Sequence, residues 1–307
     1  MACSRTDHHT RTADAHRPTD TPGGCPVIEW FHGAVLGLIQ GLTEFLPISS
    51  SAHLRVFSAL LGWDDPGAAF TAVTQLGTES AVLIYFRRDI ASIVKTWTLS
   101  LFRPALRSHQ DARMGWFVII GTLPIGILGK LFQDTIETNL RDLRIIGTTL
   151  IVFGLVLAVA DRTRAVRNAK PITDLTLPHA AGYGFAQALA LIPGVSRSGG
   201  TISAGLLLGY SREAAARYSF LLAIPAVLAS GLLELFKIGE GPAPAWGPTV
   251  LATLIAFVVG YAAIAWFLKY ISNNSFMPFV VYRVALGILI IALVSMGTLA
   301  PDAGVVK

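Results

Sequence analysis

Apolar residues dominate this chain in long, nearly unbroken runs, and polar residues collect between them. Six runs, at about 66–86, 115–133, 144–161, 214–236, 248–269 and 279–299, approach the roughly 20 residues that a helix needs to cross a bilayer. Each predicts a transmembrane helix; the run at 144–161 is short and its ends are the least defined. Two further apolar segments are interrupted. Residues 30–62 are cut by Pro47 and the serines after it, and residues 180–209 by "PGVSRSGGT", which leaves pieces too short to span. Such a segment reads as a re-entrant pair. A helix enters, a polar turn sits at membrane depth, and a second helix returns to the same side, with the irregular backbone sheltered in protein or lining a wet cavity.

The two interrupted segments resemble each other. Setting "GLIQGLTEFLPISSS" (37–51) over "GFAQALALIPGVSRS" (184–198) without a gap aligns Gly37 with Gly184, Gln40 with Gln187, Leu42 with Leu189, Ser49 with Ser196 and Ser51 with Ser198. That predicts an internal duplication. Each half then holds one re-entrant pair followed by three spans, and because three is odd the second half sits upside down relative to the first. The expectation is an all-α polytopic membrane protein: an inverted-topology repeat with six transmembrane helices plus two re-entrant helix pairs. One membrane domain runs over 27–299, with repeat one at 27–161 and repeat two at 180–299.

Composition supports this class, with 53% hydrophobic residues against 14% charged and a mean hydropathy of +0.58. Residues 1–26 depart from it. They are rich in Thr, Asp, His and Arg, lack the apolar core of a signal peptide, and read as a disordered tail; 300–307 form a C-terminal tail. His8, His9 and His16 offer loose metal binding at most, and Cys3 and Cys25 imply neither a disulfide scaffold nor a metal site. A net charge of +5 would suit nucleic acid if it formed a patch, but the basic residues sit in short connections, which excludes that partner. The connection 87–113 carries Arg87, Arg88, Lys95, Arg103, Arg107 and Arg113, and 162–170 carries Arg162, Arg164, Arg167 and Lys170. By contrast 134–143 holds only Arg141 among its basic positions and 237–247 only Lys237. The first two connections are therefore expected in the cytoplasm. Both termini and the mouth of the first pair then face outward, and the second pair enters from the cytoplasm to meet the first near the midplane.

Within the first pair, Gln40 and Glu44 are four residues apart and project from one helix face toward Pro47. Gln40 serves equally well as interhelical hydrogen-bonding glue, whereas an ionised Glu44 in lipid requires a cation or a proton. Ser49, Ser50 and Ser51 open the second half-helix, where free amides and the positive dipole end favour an anion, although one serine would suffice as a cap. His53, one turn on, suits proton transfer or nucleophilic attack, the plainer alternative being a buried histidine bonded to a backbone carbonyl. The second turn supplies Arg197, a permanent planar cation suited to phosphate, with the hydroxyls of Ser196, Ser198 and Thr201 and glycines including Gly199 that let amides approach an anion. A purely structural ion pair between Arg197 and Glu44 is the competing account.

"QGLTEFLPISSSAHL" and "PGVSRSGGT" resemble the two signature motifs of the bacterial undecaprenyl pyrophosphate phosphatase family, which is associated with bacitracin resistance. The similarity extends over about 28–299. It implies hydrolysis of a C55 isoprenyl pyrophosphate to its monophosphate, recycling the lipid carrier for cell-wall synthesis. By the same resemblance Glu44 and Gln40 match the acidic-or-Gln motif, Ser50 and His53 the catalytic serine and histidine, and Arg197 the pyrophosphate-binding arginine. Gln40 leaves the motif one carboxylate short, and Ala52 stands where a glycine commonly precedes the histidine. Glu79 is a candidate replacement, and a divalent cofactor, magnesium or calcium, is expected on Glu44 with Glu79. The nucleophile stays open among Ser50, His53 and water. The expected partners are the polyprenyl pyrophosphate and membrane lipids, with a homodimer compatible, and the expected location is the bacterial plasma membrane with the site facing the extracytoplasmic side. A secondary transporter or flippase for an anionic lipid phosphate is the alternative, because broken helices in inverted repeats are also a transporter plan.

Overall fold

The computed structural model describes residues 26–63, 67–132, 142–163, 169–237 and 245–302, together with positions 135, 136 and 140. The expected N-terminal tail, with its histidines and both cysteines, lies outside the described residues. Among the described residues the chain is helical, and its one β feature is an isolated bridge between Lys170 and Tyr210. The first interrupted segment forms α1 (Pro26–Thr43) and α2 (Ser50–Leu61), and the second forms α7 (Leu177–Ala188) and α8 (Arg197–Leu207). Between them lie α3 (Gly67–Tyr85), α4 (Arg87–Phe102), α5 (Gln110–Leu131) and α6 (Leu143–Thr163). After them come α9 (Arg212–Lys237), α10 (Trp246–Asn273) and α11 (Met277–Ser295).

Five of these helices, α5, α6, α9, α10 and α11, are long and apolar enough to cross a membrane. The sixth expected span, α3, has the length but not the apolarity. Thr71, Thr74, Gln75, Thr78 and Glu79 dilute it, and the Thr74 and Thr78 hydroxyls turn back onto its own carbonyls at 2.9 and 2.8 Å. It can carry them because it is packed between α9 and α10, so that Thr74, Thr78 and Glu79 are buried against protein. The basic connection 87–113 is also not a loop. Its first sixteen residues form α4, which lays Ile90, Ile93 and Trp97 against the protein and leaves Arg88 and Lys95 exposed. The short run at 144–161 gains residues at both ends to become α6.

Packing follows a pattern of exchanged partners. α1 lies along α10 and α7 along α5, while α6 pairs with α11 and α3 with α9. Close approach is made at glycines. A Cβ at Gly37 would collide with the Ala252 backbone of α10, and one at Gly184 would stand 2.5 Å from the Gly121 carbonyl oxygen of α5. Gly37 and Gly184 are the aligned glycines of the two similar segments, so each serves its own half in the same way. Gly287 of α11 likewise meets the Gly147 carbonyl of α6. In lipid, where apolar side chains gain little by leaving their surroundings, such backbone proximity is what holds helices together.

Candidate active site

Both interrupted segments break at a serine with positive φ, Ser49 at 75° and Ser196 at 69°. These angles are strained for a residue with a Cβ, at a cost on the order of 1–3 kcal/mol each. Each serine repays part of that by capping the helix it opens. Ser49 Oγ accepts from the Ala52 amide and Ser196 Oγ from the Gly199 amide. Each also meets the hydroxyl two residues on, Ser49 with Ser51 at 3.3 Å and Ser196 with Ser198 at 3.1 Å. The aligned serines therefore reproduce each other's conformation, cap and hydroxyl pair. With the caps in place, the amides of Ser50, Ser51, Arg197 and Ser198 have no hydrogen-bond partner among the described residues. Two positive helix ends with free amides thus converge on one place.

That place is a cavity of about 460 Å³ lined by Glu44, Ser49, Ser50 and Ser51 from the first turn and by Ser196 and Arg197 from the second. Glu44 is its hub. Its Oε2 accepts from Gln40 Nε2 at 2.9 Å and from Ser50 Oγ at 2.5 Å. Its Oε1 accepts from Arg197 Nη2 at 2.5 Å and, more weakly, from Gln75 Nε2 at 3.4 Å. The Glu44–Arg197 pair joins residues 153 apart in the chain. The ion pair expected as the competing account therefore exists. It engages one Arg197 nitrogen, however, and Arg197 also lines the cavity. The remaining walls come from α5, α9 and the residues just before the second turn and are largely apolar, including Ile125, Leu191, Val227 and Leu233.

The other expected site residues stand behind this surface. Gln40 is buried under Glu44. Ser198 donates to the Leu46 carbonyl at 3.0 Å, tying the second turn to the first. Thr201 bonds the Arg197 carbonyl at 2.7 Å and the Ser219 hydroxyl of α9 at 2.5 Å. The Gly199 amide is taken by the Ser196 cap, and its missing side chain makes room for Arg283, whose Nη1 would lie 2.6 Å from a Cβ there. His53 is buried away from the cavity. Its Nδ1 contacts the Ser49 carbonyl at 2.7 Å and its Nε2 the Tyr282 hydroxyl at 2.7 Å, with the two rings stacked. In the neutral ring, donation from Nδ1 to the carbonyl leaves Nε2 to accept from the Tyr282 hydroxyl. Glu79 is buried on the Gln75 face of α3 with Oε1 lacking a donor, and Gln40 Oε1 lacks one too. Among the described residues no three His, Cys, Asp or Glu side chains gather as a ready-made metal cage.

Sequence reasoning missed Arg283, the largest fully buried side chain. Nη1 donates to the Pro47 carbonyl at 3.0 Å, and Nη2 to the Gly194 and Val195 carbonyls at 2.8 and 2.9 Å. One guanidinium therefore clasps both turns. The signal was available, since Arg283 lies inside the last apolar run, where an ionisable residue is costly without a purpose. Gln75 and Tyr282 were missed as well, and nothing in their spacing marked them.

Fold and site together define an integral membrane protein with a polar cavity where its two interrupted helix pairs meet. The chain belongs to the family described as bacitracin resistance protein BacA, matched over residues 33–289. Among similar proteins, undecaprenyl-diphosphatase 2 of Frankia casuarinae is 64% identical over 288 residues, covering 90% of this chain and 99% of that protein. Undecaprenyl-diphosphatase 2 of Streptomyces avermitilis is 60% identical over 286 residues, covering 90% and 98%. Undecaprenyl-diphosphatase of Thermobifida fusca is 60% identical over 270 residues, covering 88% and 92%.

The clasp yields a prediction. Arg283→Leu strips donors from three buried carbonyls, each worth roughly 1–3 kcal/mol when left unsatisfied, so the purified protein should lose at least about 3 kcal/mol of stability. Thermal unfolding in detergent checks this, and Arg283→Lys should recover only part of the loss because an ammonium cannot span both turns.

Proposed function

We propose that this chain hydrolyses undecaprenyl pyrophosphate to undecaprenyl phosphate, recycling the lipid carrier of cell-wall synthesis and thereby conferring resistance to bacitracin. One observation carries the reading: free helix amides, the serines of both turns and an arginine surround a carboxylate in a cavity whose other walls are largely apolar. That is the chemistry of a polyanionic head on an isoprenyl tail, and the curated relatives carry the matching name. In this account Arg197 and the free amides bind the pyrophosphate and stabilise charge on the transferring phosphoryl group. Ser50, already donating to Glu44, passes its proton there as its Oγ attacks the terminal phosphorus. The bridging P–O bond breaks and undecaprenyl phosphate leaves. Glu44 hands that proton to the departing bridging oxygen, so that it is again a carboxylate; it then takes a proton from the water that attacks the phosphoserine and returns it to Ser50 Oγ as inorganic phosphate is released. His53 is given a positioning role, bracing the Ser49 carbonyl against Tyr282.

The oxygen donors fit a divalent ion of the magnesium or calcium type. Glu44 lines the cavity and would hold it, Glu79 and Gln40 would offer the unpaired Oε1 atoms they bury outside the cavity lining, and phosphate oxygens and water would complete the shell. Such an ion would neutralise charge on the phosphates. We place the protein in the bacterial plasma membrane as an inverted-topology repeat in which α3 is the sixth span. The exchanged helix partners and the matching serine caps support that reading. The cavity is assigned to the extracytoplasmic side from the charge of the connections.

Two experiments test these statements. Purified protein in detergent should release phosphate from undecaprenyl pyrophosphate, and Arg197→Ala should cut the rate about 100-fold or more, with Arg197→Lys a poor substitute. Substrate binding without phosphate release would favour the carrier alternative, and an Arg197→Ala protein with wild-type rate would end the anion-site account. For orientation, Cys3 and Cys25 are first replaced by serine. Lys95→Cys on α4 should then resist an impermeant thiol reagent in intact cells while Ala245→Cys is labelled; the reverse pattern would put the cavity in the cytoplasm.

A further inference from the structure

We propose that Lys130 is a second cation of this site, holding the terminal phosphate and so separating diphosphate substrate from monophosphate product; this rests on the pyrophosphatase reading above. Lys130 lies in the last turn of α5, where a cation complements the helix's negative end, and a lysine near a helix terminus can also reach out to lipid headgroups. Three observations point inward instead. First, Lys130 lines the same cavity as Glu44, Ser50 and Arg197. It completes a stripe with Thr122, Gly126 and Gly129 at helical spacing, so this face of α5 is turned to the cavity.

Second, the wall beside it is open. A Cβ at Gly126 would meet nothing within 4 Å, and one at Gly129 would meet only Leu191 at 3.5 Å. A long side chain anchored next to two glycines has room to swing over the cavity. Third, the charges leave Lys130 over. Arg197 is paired with Glu44, so that couple contributes no net charge, whereas Lys130 makes no ion pair or hydrogen bond among the described residues. A pyrophosphate brings several negative charges into a low-dielectric site, where an unpaired cation adds attraction that the Glu44–Arg197 couple does not supply. Lys130 is also an exception to the scarcity of basic residues at the end of the molecule assigned to the outside.

Charge number is what changes when the bridging bond is cut. With the terminal phosphate gone, the group nearest an outlying cation is gone too, so Lys130 would bind substrate and release product. Its contribution should appear in KM far more than in kcat, since binding that is equal in ground and transition states leaves kcat little altered.

The test uses purified Lys130→Met and Lys130→Arg proteins with undecaprenyl pyrophosphate as substrate and undecaprenyl phosphate as product inhibitor. Loss of one charge-assisted contact should raise KM about tenfold in Lys130→Met, with a much smaller change in kcat and in the product inhibition constant. Lys130→Arg should keep KM within about twofold of wild type, because a point cation suffices. A second arm needs no turnover: calorimetric binding of inorganic pyrophosphate should weaken about tenfold in Lys130→Met, while that of inorganic phosphate barely changes. An unchanged KM and unchanged pyrophosphate binding in Lys130→Met, with or without a lowered melting temperature, overturns the proposal and leaves a headgroup-facing lysine. Equal weakening toward pyrophosphate and phosphate also overturns it, as general attraction. If the wild type releases no phosphate, the parent reading falls by itself, and the binding arm still decides whether Lys130 reads the second phosphate.

Discussion

Irregular backbone inside a membrane must find partners for its carbonyls, and here Arg283 supplies them for both turns at once. Its guanidinium reaches the carbonyls of Pro47, Gly194 and Val195, and it is buried with no carboxylate partner among the described residues. Backbone dipoles solvate the charge, and the charge in turn fixes the dipoles. The turns come from opposite halves of the sequence, so the clasp sets their separation. Gly199 is glycine for the same reason, since a side chain there would strike the guanidinium. The positive φ of Ser49 and Ser196 is tolerated in this setting because caps and the clasp over-determine the two turns.

With the turns fixed, the remaining chemistry follows from local rules. Each cap serine satisfies one amide of its helix and leaves earlier ones free, so two positive helix ends face the cavity together. Glu44 then balances that field and tethers Arg197 and Ser50, which places a hydroxyl and a guanidinium beside one carboxylate. His53, which its spacing from the serines nominated for proton transfer, lies instead on the face of α2 turned to α11. Its ring is held there between the Ser49 carbonyl and the Tyr282 hydroxyl.

Much of this was legible from residue patterns. Helix existence followed from apolar runs, and the breaks followed from Pro47, the serines and the glycine-rich stretch, because local chemistry decides whether a helix continues. The likeness of 37–51 to 184–198 suggested a duplication, and like glycine contacts and like caps accompany it. What escaped was set by tertiary contact. The basic connection hides α4, whose apolar side shows only at helical period. Gln75 and Tyr282 act through partners 31 and 229 residues away, a distance no local spacing reports.

The central claim is that Glu44 of one half and Arg197 of the other act as a single unit. A double-mutant cycle tests it directly, using Glu44→Gln, Arg197→Gln and the double variant in single-turnover phosphate release, where small residual rates are measurable. Groups acting together are lost together, so the double variant should be no more than a few-fold slower than the slower single variant. Losses that multiply, with the double variant slower by the product of the two single effects, would show independent roles and contradict the account.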